Sequence, residues 1–252
     1  MPSDLFGDSR LQLEHTRRRI TEFSAATDHF WSINLLPGRD GMIGYSLRLN
    51  VEHLAGLKPL VGEVVNGLRH SLEMLIRAAA MDTIGDEAAT QARLNIKFPY
   101  PDDERSIIRE LNEQRRYISQ AYQDAIERTF NKHAHYQYYL RVVRQASNNS
   151  KHWKLEPVAA QAYAVVIQVP GKEPHITDIP NDHFLSGQPF EWLGPASTNI
   201  RFVTSLQFAD FPAEPPTNPK PPSPDDVFHT TAQYVHDMIE AFDEIHQASK
   251  RR

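Results

Sequence analysis

Val61, Val64, Val65, Leu68, Leu72, Leu75, Ile76 and Ala79 fall on one stripe at helical spacing, which commits the chain to a long helix buried along one side. Asn66, Arg69, His70, Glu73 and Arg77 take the opposite side. Pro59 suits the first turn of this helix and Gly85 its stop. A second stripe closes the chain: Val227, Thr231, Tyr234, Val235, Met238, Phe242 and Ile245. It predicts a terminal helix over 225–248 that docks on a core, since an amphipathic helix gains most of its stability from packing its apolar face.

The stretches between are read the same way. "RLQLEHTRRRITEFSA", "ERSIIRELNEQRR", "SQAYQDAIERTF" and the run from Tyr136 to Asn148 have helical periodicity. "HFWSINLLPGRDGMIGYSLRLNV" reads as a β-hairpin around Pro-Gly-Arg-Asp-Gly. After Trp153 the character changes. "VAAQAYAVVIQV", "HITDI" and "NIRFVTSLQFAD" are β-branched runs between Pro, Gly and Asn clusters, and predict strands. "AEPPTNPKPPSP" predicts an extended linker with polyproline character. The fold class expected is therefore α+β: a helical-bundle core, an antiparallel sheet built from the N-terminal hairpin and C-terminal strands, and a closing amphipathic helix. We expect one domain over 8–250, with a helical part at 54–152, a β-rich part at 155–211 and a linker at 212–224. Two domains divided near Leu155 are the alternative.

A chain of 252 residues that is 40% hydrophobic and 23% charged can bury a sizeable core. No apolar run is long enough for a membrane span, and the first twenty residues hold no apolar signal core. With no cysteine there is no thiolate nucleophile and no cysteine-bound metal. We expect a bacterial cytoplasmic protein without membrane partners, cofactor or metal. Its formal charge is −5, yet no acid occurs between Glu127 and Glu156. That interval carries Arg128, Lys132, Arg141, Arg144, Lys151 and Lys154, interleaved with Phe130, Tyr136, Tyr138, Tyr139 and Trp153. Such a segment suits phosphate, or else an internal partner such as the acidic stretch from Asp225 to Glu244.

Within it, "RQASNNSKHW" is the densest polar cluster. A helix continuing through Val143 sets Arg144, Asn148 and Lys151 or His152 on one face, as Asn66, Arg69, His70 and Glu73 recur on the earlier helix. Packed as neighbours, the two helices would turn Arg69 and Asn66 towards Asn149 and His152. A guanidinium, orienting amides and an imidazole are the parts for metal-free phosphodiester cleavage. Each also has a structural use: Asn148 or Asn149 as a left-handed cap, Lys151 and His152 at the negative helix end, Arg69 and Asn66 on buried carbonyls. His133-Ala-His135 has alternate spacing that a helix would point to different sides.

"GEVVNGLRHSLEMLIRAAA", "FPY" and "VVRQASNNSKHWKL" together resemble a widespread family of uncharacterised bacterial proteins, in order from about Gly44 to Ile245. Gly62, Asn66, Arg69, Leu72, Leu75, Phe98, Pro99, Asn148, Asn149, Lys151 and His152 match its pattern, with Glu73 where aspartate is usual. A more distant likeness is to the helical HEPN superfamily, which includes metal-independent ribonucleases of toxin and defence systems. Asn148 and His152 match its signature; Ser147 stands where that signature has arginine, so Arg69 or Arg144 would supply the charge. This likeness implies catalytic roles for His152 and Arg69 and a homodimer.

Three functions follow as expectations. One is an RNA- or nucleotide-binding module using the basic, aromatic-rich helix, with Asn66, Arg144, Asn148, Asn149, Lys151 and Trp153 as ligand-binding residues. Another is a metal-independent HEPN-like ribonuclease using His152 and Arg69. The third is a non-enzymatic structural or interaction protein whose polar network fixes helix packing.

Overall fold

A computed structural model describes residues 4–27, 31–37, 41–100, 104–132, 134–150, 157–168, 175–177, 189–195, 199–208 and 223–251. Among them are the helices α1 (Gly7–Thr27), α2 (Val51–Ile84), α3 (Asp86–Gln91), α4 (Glu104–Gln114), α5 (Gln120–Lys132), α6 (Ala134–Ser150) and α7 (Pro224–Lys250). The strands are β1 (Trp31–Leu36), β2 (Met42–Leu49), β3 (Pro157–Gln168), β4 (His175–Thr177), β5 (Phe190–Pro195) and β6 (Asn199–Phe208). The class is α+β, with the described strands all antiparallel. No helix among the described residues is long and apolar enough to cross a membrane.

The chain forms two compact units. One holds Met1–Thr21, Val61–Lys154 and Asp225–Arg252; the other holds Glu22–Leu60 and Leu155–Pro224.

In the helical unit the predicted stripe of α2 is buried in full, from Val61 to Ala79. Each valine, leucine or isoleucine of the stripe contributes about 1.5–3 kcal/mol by leaving water. Gly85 ends α2 at a φ of 83°, a left-handed conformation that glycine adopts without steric penalty. The short α3 that follows was not expected. Nor does α2 start at Pro59: it begins at Val51, where Asn50 Oδ1 accepts the His53 N–H at 3.1 Å, and Pro59 lies inside it. That cap satisfies an N-terminal donor six residues upstream of where the proline pointed. Against α2, α1 approaches so closely that a Cβ on Gly67 would overlap Thr16 Oγ1.

The α7 stripe is buried at Val227, Thr231, Tyr234, Val235, Met238 and Phe242. Phe242 stacks near Tyr122 at 4.7 Å and meets Phe6 edge-on at 6.0 Å. Within this apolar cluster Asp82 accepts the Tyr122 hydroxyl at 2.6 Å with one oxygen and lies 2.7 Å from His246 Nδ1 with the other. Both carboxylate oxygens thus have partners. Arg10 joins Asp4 at 2.7 Å and Asp243 at 2.8 Å.

In the other unit the expected hairpin is present, with Leu36 opposite Gly44 and Trp31 opposite Leu49. It takes β5 as its third strand, pairing Tyr45 with Trp192 and Leu47 with Phe190. The remaining C-terminal strands form a separate three-stranded sheet in the order β4-β3-β6. The strand β5, "FEWLGP", was missed because its short apolar pattern ends in Gly-Pro. It recruits Gly194 where a larger residue would strike the Trp192 ring.

Candidate functional site

The site is built on the exposed side of α2, in the helical unit. Pro99 lacks a donor and disfavours a helical Phe98, and residues 96–100 lie outside any helix or strand. Side chains supply the hydrogen bonds this segment needs. Gln114 Oε1 accepts the Lys97 N–H at 3.2 Å while its Nε2 donates to the Asn95 carbonyl at 3.2 Å. Glu73 Oε2 accepts the Phe98 N–H at 3.3 Å. The Tyr100 hydroxyl donates to the Arg69 carbonyl at 3.4 Å, and the Phe98 and Tyr100 rings meet edge-on at 5.2 Å.

The helix α6 reaches the same place. Ser147, fully buried, donates from Oγ to Asn66 Oδ1 at 2.7 Å. Arg69 Nη1 donates to Asn148 Oδ1 at 2.6 Å and lies 3.4 Å from Ser147 Oγ. The Arg69 guanidinium sits over the Tyr100 ring, 5.7 Å from its centre. Arg144 Nη1 donates to the Tyr100 carbonyl at 3.3 Å and lies 3.9 Å from Glu110. Phe98, Pro99 and Tyr100 are therefore clasped between α2 and α6.

Arg69 uses only Nη1 on these partners. Among the described residues its Nε and Nη2 have no acceptor, and the residue is partly exposed. Those two N–H groups form the side-on fork of the guanidinium, which matches two oxygens of a phosphate or carboxylate. The stacking on Tyr100 and the bond to Asn148 hold the fork in place without occupying it.

Two hollows meet here, of about 440 Å³ and about 580 Å³, both lined by Arg69, Glu73 and Lys97. His70, Arg77, Arg93 and Leu94 line the first; Arg109, Glu110, Glu113, Arg144 and Asn148 line the second. Among the described residues Arg77, Arg93, Lys97 and Arg109 make no salt bridge. Burial pushes the Glu73 carboxyl above the usual carboxylate range, against the opposing pull of the Phe98 N–H and of Arg69, Arg77 and Lys97. Burial, and then the nearby Glu73, hold the Tyr100 phenol well above its ordinary value. A third hollow of about 630 Å³ adjoins at Lys97 and Gln114, with Asn112, Arg115 and Arg116 on its wall.

Of the residues selected from sequence, Asn66, Arg69, Phe98, Pro99, Arg144 and Asn148 come together around this clasp. Asn149 belongs to α6, but its side chain lies outside the described residues. Lys151, His152 and Trp153 lie wholly outside them, so the pairing of Arg69 with His152 does too. His133 and the His135 side chain fall there as well.

The acid-free interval proves heterogeneous. Phe130 and Tyr138 are buried, Arg141 lies over the Tyr138 ring at 5.5 Å, and Lys132 pairs with Asp237 at 2.7 Å. Lys132 thereby meets the acidic C-terminal stretch, and Arg144 turns to the cleft. Sequence reasoning passed over Lys97, Arg93, Arg109, Glu110 and Glu113, since charges on short helices and turns look like any solvated face. Gln114 gave no signal at all. Among the described residues no group of three or more histidines and acids is gathered for a metal. Comparison of the chain with protein-family models, with curated proteins and with solved structures gave no match.

Proposed function

We propose that the helical unit binds RNA or a nucleotide by phosphate, at the cleft where Arg69 and Lys97 join the two hollows. The observation that carries this reading is the Arg69 fork, held by Asn148 and Tyr100 and without an acceptor at Nε and Nη2 among the described residues. Cations around it that make no salt bridge among the described residues favour an anion in a protein that is acidic as a whole. A bacterial cytoplasm is the setting this function calls for. The reading departs from the sequence expectation in one respect: the contacts come from α2, α4 and residues 93–100 more than from the 128–154 interval.

The test is titration with single-stranded RNA and with ribonucleoside monophosphates at two salt concentrations. Binding should weaken as salt rises. Arg69→Ala should lose about tenfold or more, and Arg69→Lys most of that, because an ammonium keeps the charge without the fork. No binding at low salt, or binding indifferent to salt, refutes the proposal.

Two other readings each have an observation in their favour. The contact of Arg69 with Asn148, four residues before His152 in sequence, favours a metal-independent HEPN-like ribonuclease acting as a homodimer. It requires RNA cleavage that persists in chelator and is lost in His152→Ala. The fully buried Ser147 between Asn66 and Arg69 favours a quiet structural brace. It requires that Asn66→Ala lower the melting temperature while no RNA or nucleotide binds.

A further inference from the structure

The two hollows differ in polarity, and that difference says which kind of phosphate ligand the cleft can take. The first has His70, Arg77, Arg93 and Lys97 against the single carboxyl of Glu73. Burial favours the protonated form of that carboxyl, which lessens its opposition to an anion. The second sets Glu110 and Glu113 among Arg109 and Arg144, and Arg144 is already engaged with Glu110 and the Tyr100 carbonyl. Carboxylates repel phosphate but accept hydrogen bonds from hydroxyl and amino groups. We infer that the cleft is a mononucleotide site, with the phosphate on Arg69, Arg93 and Lys97 in the first arm and the sugar and base on Glu113 in the second. This inference rests on the phosphate-binding reading above.

A single-stranded nucleic acid running through both arms would bring phosphates past Glu110 and Glu113. A mononucleotide, anionic at one end and rich in donors at the other, meets no such conflict. The hollows, about 440 and 580 Å³, lie in the range of ordinary small-molecule sites. Leu94, 77% exposed at the rim of the first arm, adds an apolar surface that a phosphate by itself would not use.

The experiment compares, by calorimetry on the full chain, ribonucleosides, their 5′-monophosphates, inorganic phosphate and a short single-stranded RNA. Each monophosphate that fits should bind about tenfold or more tighter than both its nucleoside and inorganic phosphate, as charge-assisted hydrogen bonds add to those of the nucleoside. Joint replacement of Arg93 and Lys97 by alanine should bring the monophosphate most of the way down to the nucleoside level, and adding Arg69→Ala should bring it the rest. Glu113→Gln should erase most of the advantage over inorganic phosphate without weakening phosphate itself. Arg93, Lys97 and Glu113 are exposed, and circular dichroism verifies that the variants fold. Equal affinity for monophosphate and inorganic phosphate, or binding of RNA without mononucleotides, overturns the two-arm assignment and leaves the phosphate-binding reading standing. Failure of every probe overturns both.

Discussion

Gly67 lies on α2 between Asn66 and Arg69, and its missing side chain sets how closely α1 can lie. A Cβ there would overlap Thr16 Oγ1, with Thr16 Cγ2 at 3.1 Å and Gln12 Nε2 at 3.3 Å. Thr16 cannot easily turn aside: it is 1% exposed and its hydroxyl donates to the Gln12 carbonyl at 2.8 Å. Overpacking of this kind costs about 1–3 kcal/mol. Alanine returns about 0.8–1 kcal/mol through its better helix propensity. Gly67→Ala should therefore destabilise by up to about 2 kcal/mol, or up to roughly 8 °C in Tm for a chain of this size. Thr16→Ala removes both colliding atoms and should by itself cost about 1 kcal/mol or less, a hydroxyl bonded to its own helix. Urea unfolding followed by circular dichroism at the helical signal reads the four members of the cycle. The double variant should recover nearly all of the Gly67→Ala loss. Gly67→Ala more stable than the parent, or losses that simply add, would show that steric contact does not set the helix spacing. Because Arg69 rides on the same turn, Gly67→Ala should also weaken nucleotide binding, and the double variant should restore it.

Other perturbations act on the polar groups. Asp82→Ala leaves the Tyr122 hydroxyl and His246 Nδ1 without their acceptor and should cost about 2–4 kcal/mol in urea unfolding, well above Tyr122→Phe. Tyr100 and Tyr122 are both raised above the ordinary tyrosine range, mainly by burial. In the unfolded chain they release their protons first, so stability is complete below the ordinary tyrosine pKa and falls above it, by about 1.4 kcal/mol per pH unit for each. Melting curves from neutral to strongly alkaline pH should show this decline, and Tyr122→Phe should make it shallower. The Glu73 carboxyl is also raised. The stability tied to its proton is complete below the unfolded pKa and lost as pH rises through the folded one. Glu73→Gln should therefore melt higher than the parent at neutral pH, with no advantage in acid, and should bind monophosphates more tightly. A variant that melts lower at neutral pH would contradict the cost assigned to burying this carboxylate.

Hydrophobic period is a local property, and it disclosed the α2 and α7 stripes, the hairpin and the long β-branched strands directly. A proline inside α2 misled it about the start of that helix, because the Asn50 cap and later packing outweigh one missing donor. The amides and arginines of the clasp were legible as a polar cluster, but their acceptors were not. Gln114 on Asn95 and Lys97, or Glu73 on Phe98, are contacts between segments distant along the chain. Arg109 and Glu113 on α4 look in sequence like any solvated pair of charges; a hollow beside Arg69 makes them candidate ligand contacts.

From sequence, then, came the identity of the buried faces, for the spacing of apolar residues dictates which side of a helix leaves water. Tertiary structure decided what those faces meet, and so brought Asn66, Arg69, Tyr100, Arg144 and Asn148 to one place. Long-range packing sets the distance between side chains on different helices, and no local pattern encodes it.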